Sequence, residues 1–169
     1  MSTAFLGLLL AASFFASPNG VRELKTQVFI FIRIDCPISN GYAVEIQRLY
    51  DAYRPHGFEF LLVYPQQGLT ESQFLEHQRQ YSYSIPGVLD AQHKYVLKTK
   101  ARVTPEAAVF VNDKEVYLGR IDDWYADFGT RRAHILHHDL EQVLGDISNG
   151  KIPAYRETRA IGCAIESVK

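Results

Sequence analysis

The sequence predicts a single α/β domain built on a central mixed β-sheet flanked by helices, and three observations carry that expectation. The chain has 169 residues, 47% of them hydrophobic and 12% aromatic, enough for one substantial core and too little for two comfortable ones. Two apolar runs rich in β-branched and aromatic residues, Gln27–Ile34 and Phe58–Tyr64, bracket a stretch of helical periodicity, the pattern of a parallel strand–helix–strand unit. A second pair, Ala107–Val111 and Glu115–Arg120, is separated only by Asn112-Asp113-Lys114, the pattern of a hairpin added to the same sheet.

Taken in order, residues Ala4–Ala16 form the apolar run AFLGLLLAASFFA. Its length suits the hydrophobic part of a secretory signal and is short for a membrane span. No Lys or Arg precedes it and Phe15 interrupts an Ala-x-Ala site, so a buried N-terminal helix is the alternative. Read as a signal peptide over residues 1–17, it sends the domain to an extracytoplasmic, periplasmic compartment of a bacterium, where disulfides persist. Gln27–Ile34 then reads as a strand buried on both faces. After Asp35-Cys36-Pro37-Ile38-Ser39-Asn40 comes a helix whose Ile46, Leu49, Tyr50 and Tyr53 share one face, stopped by Pro55-His56-Gly57. Phe58–Tyr64 is the second buried strand. Thr70-Glu71-Ser72-Gln73 has the form of a capping box for a helix to about Tyr81. Val88-Leu89-Asp90 is too short to assign, and Ala91–Lys98 reads as a short helix.

The hairpin follows, and a last helix is expected over about Arg131–Leu144. Ala133, Leu136, Leu140, Val143 and Leu144 would lie on one of its faces and Gly145 at its end. The core domain therefore runs from 26 to 146. Residues 147–169 form a tail with no clear element, carrying Cys163.

The formal net charge is −1, which argues against nucleic acid or an anionic membrane surface as the main partner. The chain has only two cysteines, Cys36 and Cys163, which excludes a disulfide-dense scaffold and a four-cysteine zinc site. Cys36 stands where a strand gives way to a helix, so unpaired backbone N–H groups and the positive end of the helix dipole converge on it and favour the nucleophilic thiolate. Pro37 fits the first helical position, where its missing donor costs nothing. Ser39, three residues on, can offer its hydroxyl to the sulfur, whereas the carboxylate of Asp35 would oppose ionisation. The same position also suits a buried structural cysteine. Thr104-Pro105 precedes a strand in the second half, where a cis proline would leave the backbone of residue 104 free to pair with an extended substrate.

Several stretches together resemble the redoxin branch of the thioredoxin-like superfamily, the bacterial alkyl hydroperoxide reductase/thiol-specific antioxidant (AhpC/TSA)-like domains. They are Asp35-Cys36-Pro37-Ile38-Ser39-Asn40 with Tyr42-Ala43, Val103-Thr104-Pro105-Glu106-Ala107, Tyr117-Leu118-Gly119-Arg120-Ile121-Asp122-Asp123, and Thr158 with Ile161-Gly162-Cys163-Ala164-Ile165. The resemblance implies a thioredoxin-like fold and a thiol-based redox activity, either thiol–disulfide exchange or a weak thiol peroxidase. Cys36 would be the nucleophile. Pro37, Thr104, Pro105 and Asp122 would contact substrate. The expected topology brings Arg120 to the same sheet edge, as an electrostatic helper or in a surface salt bridge with Asp122 or Glu115. It implies no bound cofactor. The partners would be protein thiols and disulfides or a hydroperoxide, with an external thiol reductant. Peroxiredoxins carry a Thr three residues before the reactive cysteine and a Pro four before that, where this chain has Arg33 and Phe29. The second cysteine of a C-x-x-C motif is also missing, since the run here is Cys-Pro-Ile-Ser.

Cys163 can then act as a resolving thiol within the chain, pair between chains, or stand idle. His134 and His138, spaced four apart on the expected last helix, raise a two-ligand metal arrangement, with a solvated helix face as the alternative. A thioredoxin-fold copper carrier using Cys36, Cys163 and a histidine is the non-enzymatic rival.

Overall fold

The computed structural model describes residues 24–167, and the apolar run 4–16 with the expected signal peptide lies outside them. Among the described residues no helix is long and apolar enough to cross a membrane.

Strand β1 (Thr26–Phe31) leads into α1 (Pro37–Gly41) and α2 (Ala43–Tyr53), and a single 3-10 turn at Arg54–His56 returns the chain to β2 (Phe58–Tyr64). Then follow α3 (Glu71–Gln80), β3 (Gly87–Leu89), α4 (Lys94–Thr99) and the short β4 (Val103–Thr104). The hairpin is β5 (Glu106–Val111) and β6 (Lys114–Gly119). A small hairpin of β7 (Tyr125–Asp127) and β8 (Thr130–Arg131) precedes α5 (Asp139–Ser148), and the tail adds β9 (Arg156–Glu157) and β10 (Cys163–Ala164).

The main sheet has six strands in the order β3-β2-β1-β5-β6-β9. β1 runs parallel to β2, with Thr26 beside Phe58, and antiparallel to β5, with Thr26 beside Val111. Alternation along the central strands sends side chains to opposite faces. Val28, Ile30 and Ile32 join Ile46, Leu49, Val109, Leu140, Val143 and Leu144 in the larger core layer. Phe29, Phe31, Ala108 and Phe110 form a smaller one, packed against Tyr95 and Val96 of α4. Helices therefore cover both faces, which is why β1 and β5 read as continuous apolar runs. The mixed α/β architecture is the one the sequence predicts.

Local signals land where chemistry dictates. Thr70 and Gln73 close the capping box at the start of α3, and Asn112 and Asp113, with φ of 48° and 64°, make the left-handed turn of the β5–β6 hairpin. Two expectations are corrected. The last helix begins at Asp139 instead of Arg131 and runs through Gly145 to Ser148. The carboxylate of Asp123 accepts the backbone N–H groups of Leu136 (2.7 Å) and His137 (3.1 Å), tying that stretch into a loop before any helix can form. Leu136 is consequently 67% exposed, and buried Ile147 extends the apolar face past Gly145. The tail, expected to be without elements, supplies β9 to the main sheet beside β6 and β10 to β4.

Candidate active site

Cys36 is the N-cap of α1, in extended conformation (φ −90°, ψ 111°), with Pro37 opening the helix. Its side chain is fully buried. Because β1 ends at Phe31 while its neighbour β2 continues to Tyr64, the following loop turns Cys36 across the end of the sheet, towards the connection between β4 and β5. There the Thr104–Pro105 peptide is cis. The Cys36 S–H donates to the carbonyl oxygen of Thr104 at 3.1 Å, and the sulfur accepts the backbone N–H of Ser39 at 3.5 Å. The Ser39 hydroxyl, expected to make that contact, is buried without a hydrogen-bond partner of good geometry, although it lies near enough to the sulfur to favour the thiolate. We assign the bond itself to the amide.

The carboxylate of Glu106 shapes the loop from beneath. It is fully buried and accepts the backbone N–H groups of Arg102 (2.6 Å) and Val103 (3.4 Å), which fixes the two residues leading into Thr104. Burial raises its pKa, and those amide bonds oppose the rise.

Cys163 arrives from the other side. β10 pairs antiparallel with β4, Cys163 opposite Thr104 and Ala164 opposite Val103, and the Ile165 N–H donates to the Arg102 carbonyl at 2.9 Å. The backbone of Thr104, expected to be free, is thus occupied by the chain's own tail. Gly162 makes this approach possible: a Cβ there would lie 2.2 Å from the Thr104 carbonyl oxygen and 2.6 Å from its carbon. Close backbone contact, not flexibility, is what requires glycine at this position. Both cysteines are free thiols.

Their ionisation is coupled. Burial pushes the Cys36 thiol up, but the Cys163 side chain, the Ser39 hydroxyl and amide, and the Cys163 backbone stabilise its thiolate more strongly, and the net pKa is below that of ordinary cysteine. The Cys163 thiol is pushed up to about 12 by burial and then by the neighbouring Cys36 sulfur. Of the two thiols, Cys36 is therefore the one that ionises first.

Arg33, at the position where peroxiredoxins carry the threonine, is a clasp. Its guanidinium holds the Asp35 carboxylate through two bonds of 3.1 Å and donates to the Ala164 carbonyl at 3.3 Å. That pairing lowers the Asp35 pKa and turns the carboxylate to Arg33 and Gln66. The sequence offered one signal for Arg33, its place two residues before Asp35, but not its link to a strand 131 positions away.

Arg120 and Asp122, expected to serve Cys36, have their side chains engaged by other partners. Arg120 leaves the end of β6 towards α5, where its guanidinium meets the buried Asp139 at 2.6 Å. Arg156 of β9 binds the other oxygen of the same carboxylate. Asp122 is buried and accepts the Tyr42 hydroxyl (2.5 Å) and the Trp124 N–H (2.8 Å). Burial raises its pKa. Trp124 and Tyr125 pack on Tyr42 in the core, and Phe128 faces solvent.

The histidine arrangement is also corrected: His134 and His138 precede α5 and share no helix face. Glu45, His138 and Glu141 do bring ligand atoms within 4.8 Å of one another, but the Arg48 guanidinium already sits on both carboxylates, at 2.7 and 2.9 Å. The buried His77 bonds to Tyr64 and Asn40, and the buried His93 to the Pro65 carbonyl.

No family model matches the sequence and no curated protein matches it. Solved structures do. A hypothetical protein from Sinorhizobium meliloti superposes with a TM-score of 0.72 at 19% identity, over 85% of this chain and 80% of its own. An uncharacterized conserved protein from Geobacillus kaustophilus gives 0.71 at 22%, over 85% and 78%. A secreted disulfide oxidoreductase from Mycobacterium tuberculosis gives 0.50 at 12%, over 74% and 81%. A putative thioredoxin from Neisseria meningitidis shares the fold at a TM-score of 0.51 and 14% identity, over 74% of this chain and 73% of its own. The fold is thioredoxin-like. Within it, Cys36 occupies the turn between the first strand and helix, with the cis proline facing it.

Proposed function

We propose that this thioredoxin-like protein is a thiol–disulfide oxidoreductase whose redox centre is the pair Cys36–Cys163. The observation that carries the reading is the register of Cys163 opposite Thr104, the residue whose carbonyl accepts the Cys36 S–H. A Cys36 thiolate attacks a substrate disulfide, whose S–S bond breaks. One substrate sulfur leaves and takes a proton, and the other is bound to Cys36 as a mixed disulfide. Cys163, once deprotonated, attacks the Cys36 sulfur and expels the second substrate thiol. The substrate gains two electrons, the protein becomes a Cys36–Cys163 disulfide, and an external thiol restores it.

Disulfide exchange is favoured over peroxide reduction because the position of the peroxide-activating threonine holds Arg33, whose guanidinium is engaged by Asp35 and Ala164. The structural likeness to the secreted disulfide oxidoreductase of M. tuberculosis agrees with this chemistry. The apolar run 4–16 agrees with an extracytoplasmic site of action.

Peptide mapping of the oxidised protein tests the proposal. Treatment with an oxidised dithiol is expected to block alkylation of both cysteines and yield one cross-linked Cys36–Cys163 peptide. Cys36→Ser and Cys163→Ser should each abolish it. Two alkylatable thiols after oxidation, or a disulfide-linked dimer instead of an internal bridge, would refute it.

A further inference from the structure

We propose that Gly162–Ile165 is a self-docked strand. It fills the edge at Val103–Thr104 with which an extended polypeptide must pair to bring a disulfide onto Cys36, so tail and partner exchange at that edge. This rests on the thiol-exchange reading above.

Among the described residues β4 pairs with β10 alone, in a two-stranded sheet apart from the main one. Any strand lying antiparallel along β4 sets one residue opposite Thr104, and the Thr104 carbonyl is 3.1 Å from the Cys36 sulfur. The residue already there is a cysteine, Cys163. The chain thus presents to Cys36 what a partner would present, a sulfur on an extended main chain, and Cys36 is 0% exposed behind it. Extended peptides add to free strand edges through main-chain hydrogen bonds, and here those bonds are taken.

The fit is close on the inner side and slight on the outer. At Gly162 no side chain fits against Thr104, which seats the strand at one depth. Yet none of residues 158–167 is buried. Beyond its two-residue ladder, β10 is held by the Ile165 N–H on Arg102, by the Thr104 hydroxyl on the Cys163 carbonyl at 3.4 Å, by Arg33 on the Ala164 carbonyl and by Gln67 on the Ser167 carbonyl at 3.4 Å. Cys163 and Ile165 are only half-buried, at the margins of the two core layers. A polar cleft of about 230 Å³ lies along this outer flank, between Arg33, Gln66, Gln67 and Ile165–Glu166. Segments with few buried contacts open at a small fraction of the global unfolding free energy. With β10 lifted, the Cys36 thiolate attacks the partner's disulfide and releases one partner thiol. When β10 returns, the Cys163 thiolate attacks the Cys36 sulfur and releases the other.

The test uses full-length protein carrying Cys163→Ser, which keeps the tail and leaves Cys36 as the one thiol to label. Adding Gly162→Val should accelerate alkylation of Cys36 by iodoacetamide about tenfold, and adding Arg33→Ala about threefold, since each raises the open population. Unchanged rates in variants that melt cooperatively would overturn the proposal, and Arg33→Ala decides the matter if Gly162→Val does not fold. A second readout compares two probes, an unstructured peptide carrying a mixed disulfide and hydroxyethyl disulfide. Their rate ratio should move towards the peptide when the edge is vacated, and a fixed ratio would overturn the polypeptide assignment. Bridge formation in wild type is read separately. If the bridge forms but neither variant unmasks Cys36, the docked strand falls and the thiol-exchange reading stands. If the variants unmask Cys36 but no bridge ever forms, the thiol-exchange reading falls.

Discussion

β5 and β10 both abut the proposed redox centre, and they are held by different means. β5 is six residues long, buried at every position and paired on both sides by β1 and β6. β10 has two residues, neither of them buried, and one partner. Cys36 lies fully buried at the end of the sheet to which β5 belongs, while Cys163 rides on the weakly held tail. The two cysteines of the proposed pair are therefore set in a heavily and a lightly packed part of the molecule. The exchange proposed above would gain from that division: the core would fix the Cys36 nucleophile, and only the lighter element would have to move.

Substitutions should separate the two regions. The largest effect is expected in the sheet. Leu62 is fully buried in β2, and Leu62→Ala should cost roughly 3 kcal/mol in urea denaturation while the folded protein still closes the Cys36–Cys163 bridge. A stability loss accompanied by failure to close the bridge would show that core and tail are not separable.

At the junction of the two regions, Gly119 ends β6 with φ +155°, and a Cβ there would lie 2.1 Å from the Thr158 hydroxyl and 2.5 Å from its carbonyl oxygen. Gly119→Ala should therefore cost about 2 kcal/mol by forcing the strand and the start of the tail apart. A cost below about 0.5 kcal/mol would mean that the Thr158 segment yields freely.

The smallest effect is electrostatic. Alkylation of Cys36 rises with pH as the thiol ionises, and in wild type its midpoint should lie below that of free cysteine. In Cys163→Ser the midpoint should move up, because the Cys163 side chain is the strongest of the groups favouring the thiolate. The sign for folding follows. A depressed native pKa adds stability above the ordinary cysteine pKa, and that increment fades as pH falls through the native value. A midpoint that does not move in Cys163→Ser would remove the coupling between the sulfurs.

What the sequence disclosed, and what it hid, follows the range of the interactions. The apolar runs of β1, β2 and β5, the Thr70–Gln73 box and the Asn112–Asp113 turn are set by residues a few positions apart, and each lies where pattern and capping chemistry put it. Within the site, the Cys-Pro junction and Thr104-Pro105 were legible for the same reason. The stretch before α5 was not, because its helix-like spacing of apolar residues competes with Asp123, which captures its amides from 13 and 14 residues away. The hairpin pattern puts Arg120 and Asp122 at the end of a strand but is silent on their side-chain partners. Periodicity does not reveal that Arg120 turns to Asp139, nor that Asp122 lies beneath Tyr42. The place of Cys163 depends on a pairing across 59 residues, about which local pattern is silent.

The double clamp of Arg120 and Arg156 on Asp139 has one more consequence. It ties β9 to α5 and to the end of β6, so a displaced β10 remains on a leash of residues 158–162. Such a tether spans less than about 20 Å even when fully extended. The wandering Cys163 therefore stays at an effective concentration on the order of millimolar around its partner sulfur. A mixed disulfide on Cys36 would then be resolved from within the chain before thiols in dilute solution could compete, however often the strap comes loose.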